Sequence, residues 1–315
     1  MKLKIAVDQY ITYRKSLGES FFNNECLLKS FVRNIGQNTN LSDIQNKQVD
    51  AFLLGKRPIT AYWHNKYGAL RGFYSYMISR HYAKKSPLPI AIPKLPQPLV
   101  PYIYSINELR ALLDASLSYQ QICQLLEPYM IRTIILLLYG AGLRISEALN
   151  LKLADVDLPQ ALLTIRETKF HKTRLVPLGK ELTQSLSQYA LQRQRNGYNS
   201  NPHDPFFIGR NGKAIKRGSF ERAFQNIRKK ACLKRTDSDR FHPRIHDLRH
   251  TFAVHRLTAW YKEGADVQKL LPVLSVYLGH TDLSSTSVYL TMTPALLEEA
   301  GKLFKQYAFK EESHV

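Results

Sequence analysis

The sequence is poor in the residues on which many common chemistries depend. It has only three cysteines, Cys26, Cys123 and Cys232, in 315 residues. They are far apart and form no Cys-x-x-C pair, which excludes a disulfide scaffold and a cysteine-based zinc site and points to a reducing, cytoplasmic compartment. Long apolar stretches are missing too. The longest, Ile134 to Tyr139, falls far short of the ~20 residues that cross a bilayer, so no membrane association is expected. The opening Met1-Lys2-Leu3-Lys4-Ile5 lacks the apolar core of a signal peptide. No glycine-rich phosphate loop or dinucleotide turn occurs, and no nucleotide or metal cofactor is expected.

Acid is the scarcest class relative to its opposite: 25 Asp and Glu face 45 Lys and Arg, a formal net charge of +20. Such an excess repels itself in a compact fold and calls for a polyanionic partner. Nucleic acid fits best, because phosphate contacts supply much of the affinity of its binders. The cations are concentrated between Arg210 and Arg240, where eleven stand in 31 residues against Glu221, Asp237 and Asp239. A solvated helix face is the plain alternative. In so basic a chain a phosphate-tracking surface is the expectation, with Lys213, Lys216, Arg217, Arg222, Arg228, Lys229 and Lys230 as candidates.

Length favours two domains, and the prolines mark the division. Six of the chain's 15 lie between Ser86 and Pro101, a density that forbids a helix and favours an extended linker. Residues 1–85 read as a small helical DNA-binding domain. Helices are expected from Ile5 to Leu17, Phe21 to Ile35, Ser42 to Leu54 and Thr60 to Tyr82. The aromatic residues of the last helix read as core, while Lys66 and Arg71 beside them are candidate phosphate contacts. After the linker, 102–315 mixes helices with two strands, Leu162–Arg166 and Arg174–Leu178, around a turn near Phe170-His171. Ser105 and Glu108 have capping-box spacing.

Three clusters have the composition for attack on a phosphodiester, which needs rigid donors for two non-bridging oxygens, a nucleophile, and an acid for the leaving oxygen. Arg144 follows Gly142 and, at helical spacing, shares a face with Glu147. His246 and Arg249 are three apart, so one helical face presents both, and His250 joins them one turn on. A zinc pair at His246 and His250 is disfavoured because Asp247 replaces the expected glutamate and a cation, Arg249, stands between the ligands. His280 follows Gly279, nine residues before Tyr289. A phenol titrates near ~10 and needs stabilised charge or a base to react at neutral pH.

Together these clusters resemble the tyrosine recombinase (phage integrase) family, in the style of Xer-type recombinases and transposon integrases. Gly140-Ala141-Gly142-Leu143-Arg144-Ile145-Ser146-Glu147 resembles its first arginine box, His246-Asp247-Leu248-Arg249-His250-Thr251 its His-x-x-Arg box, and Leu278-Gly279-His280 through Tyr289 its last box. The resemblance implies a mainly helical fold with a small β-sheet. A helical core-binding domain would join a mixed α/β catalytic domain in a C-shaped clamp on DNA. It also implies catalytic roles for six residues: Arg144 and Arg249 clamping the scissile phosphate, His246 assisting proton removal, His280 bonding a non-bridging oxygen, Tyr289 forming a 3′-phosphotyrosyl link, and a hairpin lysine protonating the leaving oxygen. Lys169 matches that lysine better than Lys172, although the glycines that usually flank it are absent. Glu147 and His250 would support the site.

The implied partner is double-stranded DNA, bound by a homotetramer on paired sites with or without companion recombinases, in a bacterial, nucleoid-associated setting. The implied activity is site-specific recombination for integration, excision or transposition of a mobile element. A type IB topoisomerase and a non-catalytic DNA-binding regulator are the alternatives. The apolar stripe of Leu296, Leu297, Ala300, Leu303, Phe304 and Tyr307 forms a terminal helix that docks either on its own domain or on a neighbouring protomer. His280 lies 34 positions after His246, a longer step than in Xer-type members, and the surplus around Gly264 to Val273 reads as a longer helical connection.

Overall fold

The structure is a computed structural model, which describes residues 1–55, 59–95, 100–119, 125–166, 173–198, 201–236, 241–280, 282–291, 297–299 and 301–302. The chain divides into two compact units, Met1–Leu99 and Val100–Val315.

The first unit is helical: α1 (Leu3–Ser16), α2 (Phe22–Ile35), α3 (Asn46–Leu54) and α4 (Ala61–Ser79). Where one helix is expected from Ser42 to Leu54, the chain instead makes a 3₁₀ turn at Leu41–Asp43 before α3 begins. The intervening Ile44 and Gln45 are extended, and the Gln48 side chain returns to accept from the Gln45 amide at 2.9 Å, starting the new helix. Leu3, Val7 and Tyr10 from α1, Leu28 and Phe31 from α2, Phe52 from α3, and Trp63, Leu70, Phe73 and Met77 from α4 form one core. The aromatic residues of α4 are therefore largely packing, as their helical spacing predicts, with Tyr62 the exposed exception.

The second unit begins with α5 (Ile106–Leu117), opened by the expected box in which Ser105 and Glu108 cap each other's backbone amides. It continues through α6 (Pro128–Gly140), α7 (Ile145–Leu149), strands β1 (Val156–Asp157), β2 (Leu162–Ile165) and β3 (Arg174–Pro177), then α8 (Lys180–Arg195), α9 (Arg217–Lys230), α10 (Ile245–Lys262), α11 (Val267–Leu278) and α12 (Ser284–Ser287). The strands form an antiparallel sheet in the order β1-β2-β3, with Leu163 opposite Val176 and Ile165 opposite Arg174. β1 escapes a pattern search because a two-residue strand has no periodicity to detect.

Two cores support this unit. The larger joins α5, α6, α8 and α9 to the sheet through residues such as Leu112, Ile134, Leu163, Val176, Leu186 and Phe224. The smaller joins α10 to α11 through Phe252, Val254, Leu257, Leu271, Leu274 and Leu278, and it also contains Tyr289. Of the surplus around Gly264 to Val273, Val267 onward forms the first half of α11, as its apolar spacing predicts, whereas Gly264, at φ +69°, makes a turn after α10 that interrupts the expected helical connection.

The first unit's private core has a thermodynamic consequence. A Met1–Leu99 fragment is expected to melt cooperatively by circular dichroism. Phe31, fully buried at its centre, should cost about 3–5 kcal/mol when changed to alanine, measured by urea denaturation of that fragment.

Candidate active site

The site is built on the C-terminal end of α11. A helix end leaves its last carbonyls without intrahelical partners and concentrates partial negative charge there. Gly279, at φ +67°, reverses the chain, and the Gly279 and His280 amides bond back to Val276 and Ser275 oxygens. Three successive carbonyls are then taken by three arginines from three different segments. Arg174 Nε donates to the Tyr277 oxygen at 2.9 Å, Arg249 Nη2 to the Leu278 oxygen at 2.6 Å, and Arg144 Nη2 to the Gly279 oxygen at 3.2 Å. Only a residue without a side chain fits at 279, since a Cβ there would lie 2.7 Å from Arg174 Nη1.

A second set of bonds fixes the same guanidiniums. Glu147, buried, accepts from Arg144 Nη1 at 2.8 Å and from Arg174 Nη1 and Nη2 at 3.0 and 2.8 Å, while the Arg144 amide donates to its other oxygen. Burial alone would raise the Glu147 pKa, but hydrogen bonds and charge from Arg174, reinforced by Arg144, pull it down to about 2. Arg249 Nη1 bonds the Gly142 oxygen at 2.7 Å. Gly142 sits at φ +60° where α6 gives way to α7, and a Cβ there would meet the Phe252 ring at 2.5 Å. This glycine lets the first arginine segment lie flat on α10.

The three arginines differ in what they have left to offer. Arg174 is buried and spends Nε, Nη1 and Nη2 on protein partners. Arg144 is 31% exposed and lies between two polar clefts, one lined by Asn150, Lys152 and Arg166, the other by Arg217, Arg244 and His246. Arg249 is 1% exposed, bonds two backbone carbonyls and the Tyr289 hydroxyl, and has no ion pair among the described residues. Burial and the Arg144 charge lower its pKa to about 10, so it remains a cation at neutral pH. A buried cation without a carboxylate partner is costly, and each guanidinium carries five N–H donors. Arg144 and Arg249 therefore keep donors for an incoming anion with the forked geometry of phosphate.

Tyr289 lies beside them in the 3₁₀ turn Val288–Thr291, 2% exposed. Burial raises its pKa, against the charge and hydrogen bond of Arg249 and the charge of Arg144, so the phenol is protonated at neutral pH. Its hydroxyl stands 3.2 Å from Nδ1 of His250, and its ring stacks at 6.1 Å on His280. His280 Nδ1 meets Thr286 Oγ1 at 2.7 Å. His246 packs edge-on against His250 with centroids 4.6 Å apart. It is His250, one turn along α10 from His246, whose ring meets the phenol. All three histidines are held neutral. Burial and the Arg249 charge lower His246 and His280 to about 4, and burial with the neighbouring His246, Arg244 and Arg249 lowers His250 to about 3.

Arg144, Glu147, His246, Arg249, His250, His280 and Tyr289 thus converge, although they span the chain from α7 to the turn after α12. Lys169 and Lys172, and the turn near Phe170-His171, lie outside the described residues, as does most of the apolar tail stripe. Arg71, Lys213, Lys216, Arg217, Arg222, Lys229 and Lys230 are exposed. Two of the expected phosphate contacts are not on the surface. Lys66 turns inward to the Phe52 carbonyl at 2.6 Å and lies over the Phe52 and Tyr62 rings, where burial lowers its pKa. Arg228 is buried and donates to the Pro243 carbonyl at 3.1 Å. Each has a long apolar stem that suits it to cap a core edge. Arg174 is the site residue that motif reading missed. Its signal was present: it shares an inward strand face with Val176, two residues on, where a cation needs a buried acid.

Comparison with known proteins places these features in context. Residues 107–295 match the model of the phage integrase family. The chain is 35% identical over 304 residues, 94% of each chain, to the putative integrase/recombinase y4rB of Sinorhizobium fredii. It is 32% identical over 231 residues, 73% of this chain and 70% of the relative, to the tyrosine recombinase XerD of Pseudomonas putida. In fold it resembles the Tn1549 transposon integrase solved with transposon right end DNA (TM-score 0.68, 16% identity, 98% of this chain and 100% of that one). It also resembles a lambda integrase dimer bound to a core site (TM-score 0.66, 18% identity, 90% and 97%).

The buried ionic links set two expectations. Glu147→Ala leaves two arginines without their shared carboxylate and should destabilise the second unit by about 3–5 kcal/mol, measured by denaturant melts of the full chain. The histidines add a pH dependence. Their folded-state pKa values lie below the ordinary 6.5, so as pH falls through 6.5 toward about 4 the unfolded chain takes up protons that the folded chain refuses, and stability falls. A lower Tm at about pH 5 than at about pH 7 is expected, with a smaller drop in His250→Asn.

Proposed function

The chain belongs to the phage integrase family and is a tyrosine-type site-specific recombinase; from that premise we propose that it cleaves and rejoins DNA strands through a covalent bond between Tyr289 and a 3′-phosphate. The observation that carries this reading is the buried Arg249. It is a cation with spare donors and no carboxylate partner among the described residues, set beside the phenol of Tyr289 and the partly exposed Arg144.

In the proposed reaction a scissile phosphate enters beside Arg144, and Arg144 and Arg249 donate to its non-bridging oxygens. Both guanidiniums are already fixed on the carbonyls of α11, so little reorganisation accompanies the growth of charge in the transition state. His280, stacked on the phenol, and His246 line the same space and supply further contacts to the phosphate oxygens. Tyr289 Oη attacks phosphorus as its proton passes to a neighbouring histidine, the bond to the 5′ oxygen breaks, and Lys169 protonates that oxygen, with Lys172 the other candidate for this step. The tyrosyl ester conserves the phosphodiester bond energy. A 5′-hydroxyl from the partner strand then displaces the tyrosine and reseals the DNA. The protein's own groups supply each proton and each charge in this scheme.

Exposed cations on and before α9, Lys213, Lys216, Arg217, Arg222, Lys229 and Lys230, are proposed to track the DNA backbone, with Arg71 doing so from the first unit. Exchange between two sites calls for several protomers, and we propose a tetramer. A 640 Å³ groove bordered by Leu136, Tyr139, Leu182, Phe252, Trp260 and Leu274 supports it, because that groove is suited to an apolar segment such as the stripe from Leu296 to Tyr307 of a neighbouring protomer. Integration, excision or transposition of a mobile element is the proposed setting.

A nicked DNA duplex carrying the cognate site tests the reaction. Cleavage near the nick lets the short strand diffuse away and traps the covalent complex, read as a slower band on a denaturing gel. The wild type should form a 3′-linked adduct, and Tyr289→Phe should bind the same DNA without forming one. Adduct formation by Tyr289→Phe would place the nucleophile elsewhere. On intact paired sites the wild type should sediment as four protomers with two duplexes.

A further inference from the structure

The family resemblance gives proton removal to His246 and leaves His250 a supporting place, yet His250 is the histidine whose ring nitrogen meets the phenol. We propose that His250 is the proton acceptor for Tyr289: its Nδ1 takes the phenolic proton as the Tyr289 oxygen bonds to phosphorus, and returns it to that oxygen when the DNA is resealed. The inference rests on the recombinase reading above.

His250 Nδ1 lies 3.2 Å from Tyr289 Oη, within the reach of direct proton transfer, and the rings are 5.5 Å apart. Among the described residues, no hydrogen bond joins His246 to that hydroxyl. In the tautomer protonated on Nε2, the Nδ1 lone pair faces the phenol. The α10 helix fixes the ring from one side and His246 packs edge-on from another, so the acceptor is positioned before DNA arrives.

Electrostatics then explains why the transfer waits for substrate. The groups facing His250 are His246 and Arg249 on α10, Arg244 at its start, His280 after α11, and Tyr289 itself. Their charges and the ring's burial oppose an imidazolium, so the free protein keeps a neutral histidine and a protonated tyrosine. A phosphodiester bound to Arg249 and Arg144 brings negative charge to this cluster and offsets the arginines. The protonated His250 then stands beside a phosphorane with growing negative charge. The step balances: Oη–P forms, P–O5′ breaks, the phenolic proton moves to Nδ1, and the leaving oxygen takes its proton from the lysine.

The test separates the base from the acid. A substrate with sulfur in place of the 5′ bridging oxygen releases a thiolate, which titrates near ~8.5 and leaves without an acid. On it, Lys169→Ala should cleave at close to the wild-type rate. His250→Asn keeps a polar side chain beside the phenol but cannot accept a proton. It should bind DNA normally yet cleave the sulfur substrate at least about 100-fold more slowly. Its rate should rise about tenfold per pH unit between about pH 7 and 9 as the phenol ionises unaided, while the wild-type rate stays flat. A His250→Asn rate equal to or above wild type would overturn the proposal, and so would a reduced rate that does not change with pH, which marks a purely structural residue. If His250→Asn fails to melt cooperatively, His250→Gln makes the same comparison. A wild type that forms no adduct with either substrate would instead refute the recombinase reading itself.

Discussion

The site depends on one constraint: the last carbonyls of α11 must be satisfied, and arginines satisfy them. Arg174, Arg249 and Arg144 each take one of the oxygens of Tyr277, Leu278 and Gly279. These arginines come from β3, from α10 and from the turn before α7, so satisfying one helix end binds three remote segments into one cluster. The negative end of the helix also offsets part of the mutual repulsion of three cations. Glu147 supplies the full negative charge that keeps Arg144 and Arg174 together. What remains uncompensated is Arg249, and an anionic ligand is the natural complement of that imbalance.

The same arrangement divides labour among chemically identical side chains. Arg174 has its donors committed and is shut away, so its role is to hold Glu147 and the end of α11. Arg144 shares Glu147 but reaches the surface between two polar clefts. Arg249 is buried among backbone oxygens with donors to spare. Position, not residue type, separates a positioning group from a proposed phosphate ligand. The histidines follow the same logic. Two imidazoles touch the phenol and a third packs on one of them, and all are kept neutral by burial and the arginine charges, so in the proposed reaction the phosphate would meet cationic guanidiniums and neutral imidazoles.

Much of this was legible in the sequence, for identifiable reasons. The helices and the two longer strands follow from periodicity, and Ser105 with Glu108 announced a cap that the structure contains. Arg144, His246, Arg249, His280 and Tyr289 stood out because short motifs preserve local spacing. Partnership was harder to read. That Arg174 would meet Glu147 across 27 residues depends on tertiary folding, and nothing in the local pattern of β3 names the acid it needs. The choice between His246 and His250 at the phenol depends on the rotation of α10, which a three-residue or four-residue spacing leaves open. Lys66 and Arg228 were assigned to phosphate by their charge, yet both end on backbone carbonyls, because a long cation serves a core edge as readily as a surface.

The central claim is that the arginines stay pinned to the end of α11 while they bind the scissile phosphate. A crystal structure of Tyr289→Phe with an uncleaved duplex tests this most directly. Arg144 and Arg249 nitrogens should lie within hydrogen-bonding distance of the non-bridging oxygens, with the bonds to the Gly279 and Leu278 carbonyls intact and Arg174 still on Glu147. Guanidiniums that abandon those carbonyls to reach the phosphate, or a phosphate bound away from Arg249, would contradict it.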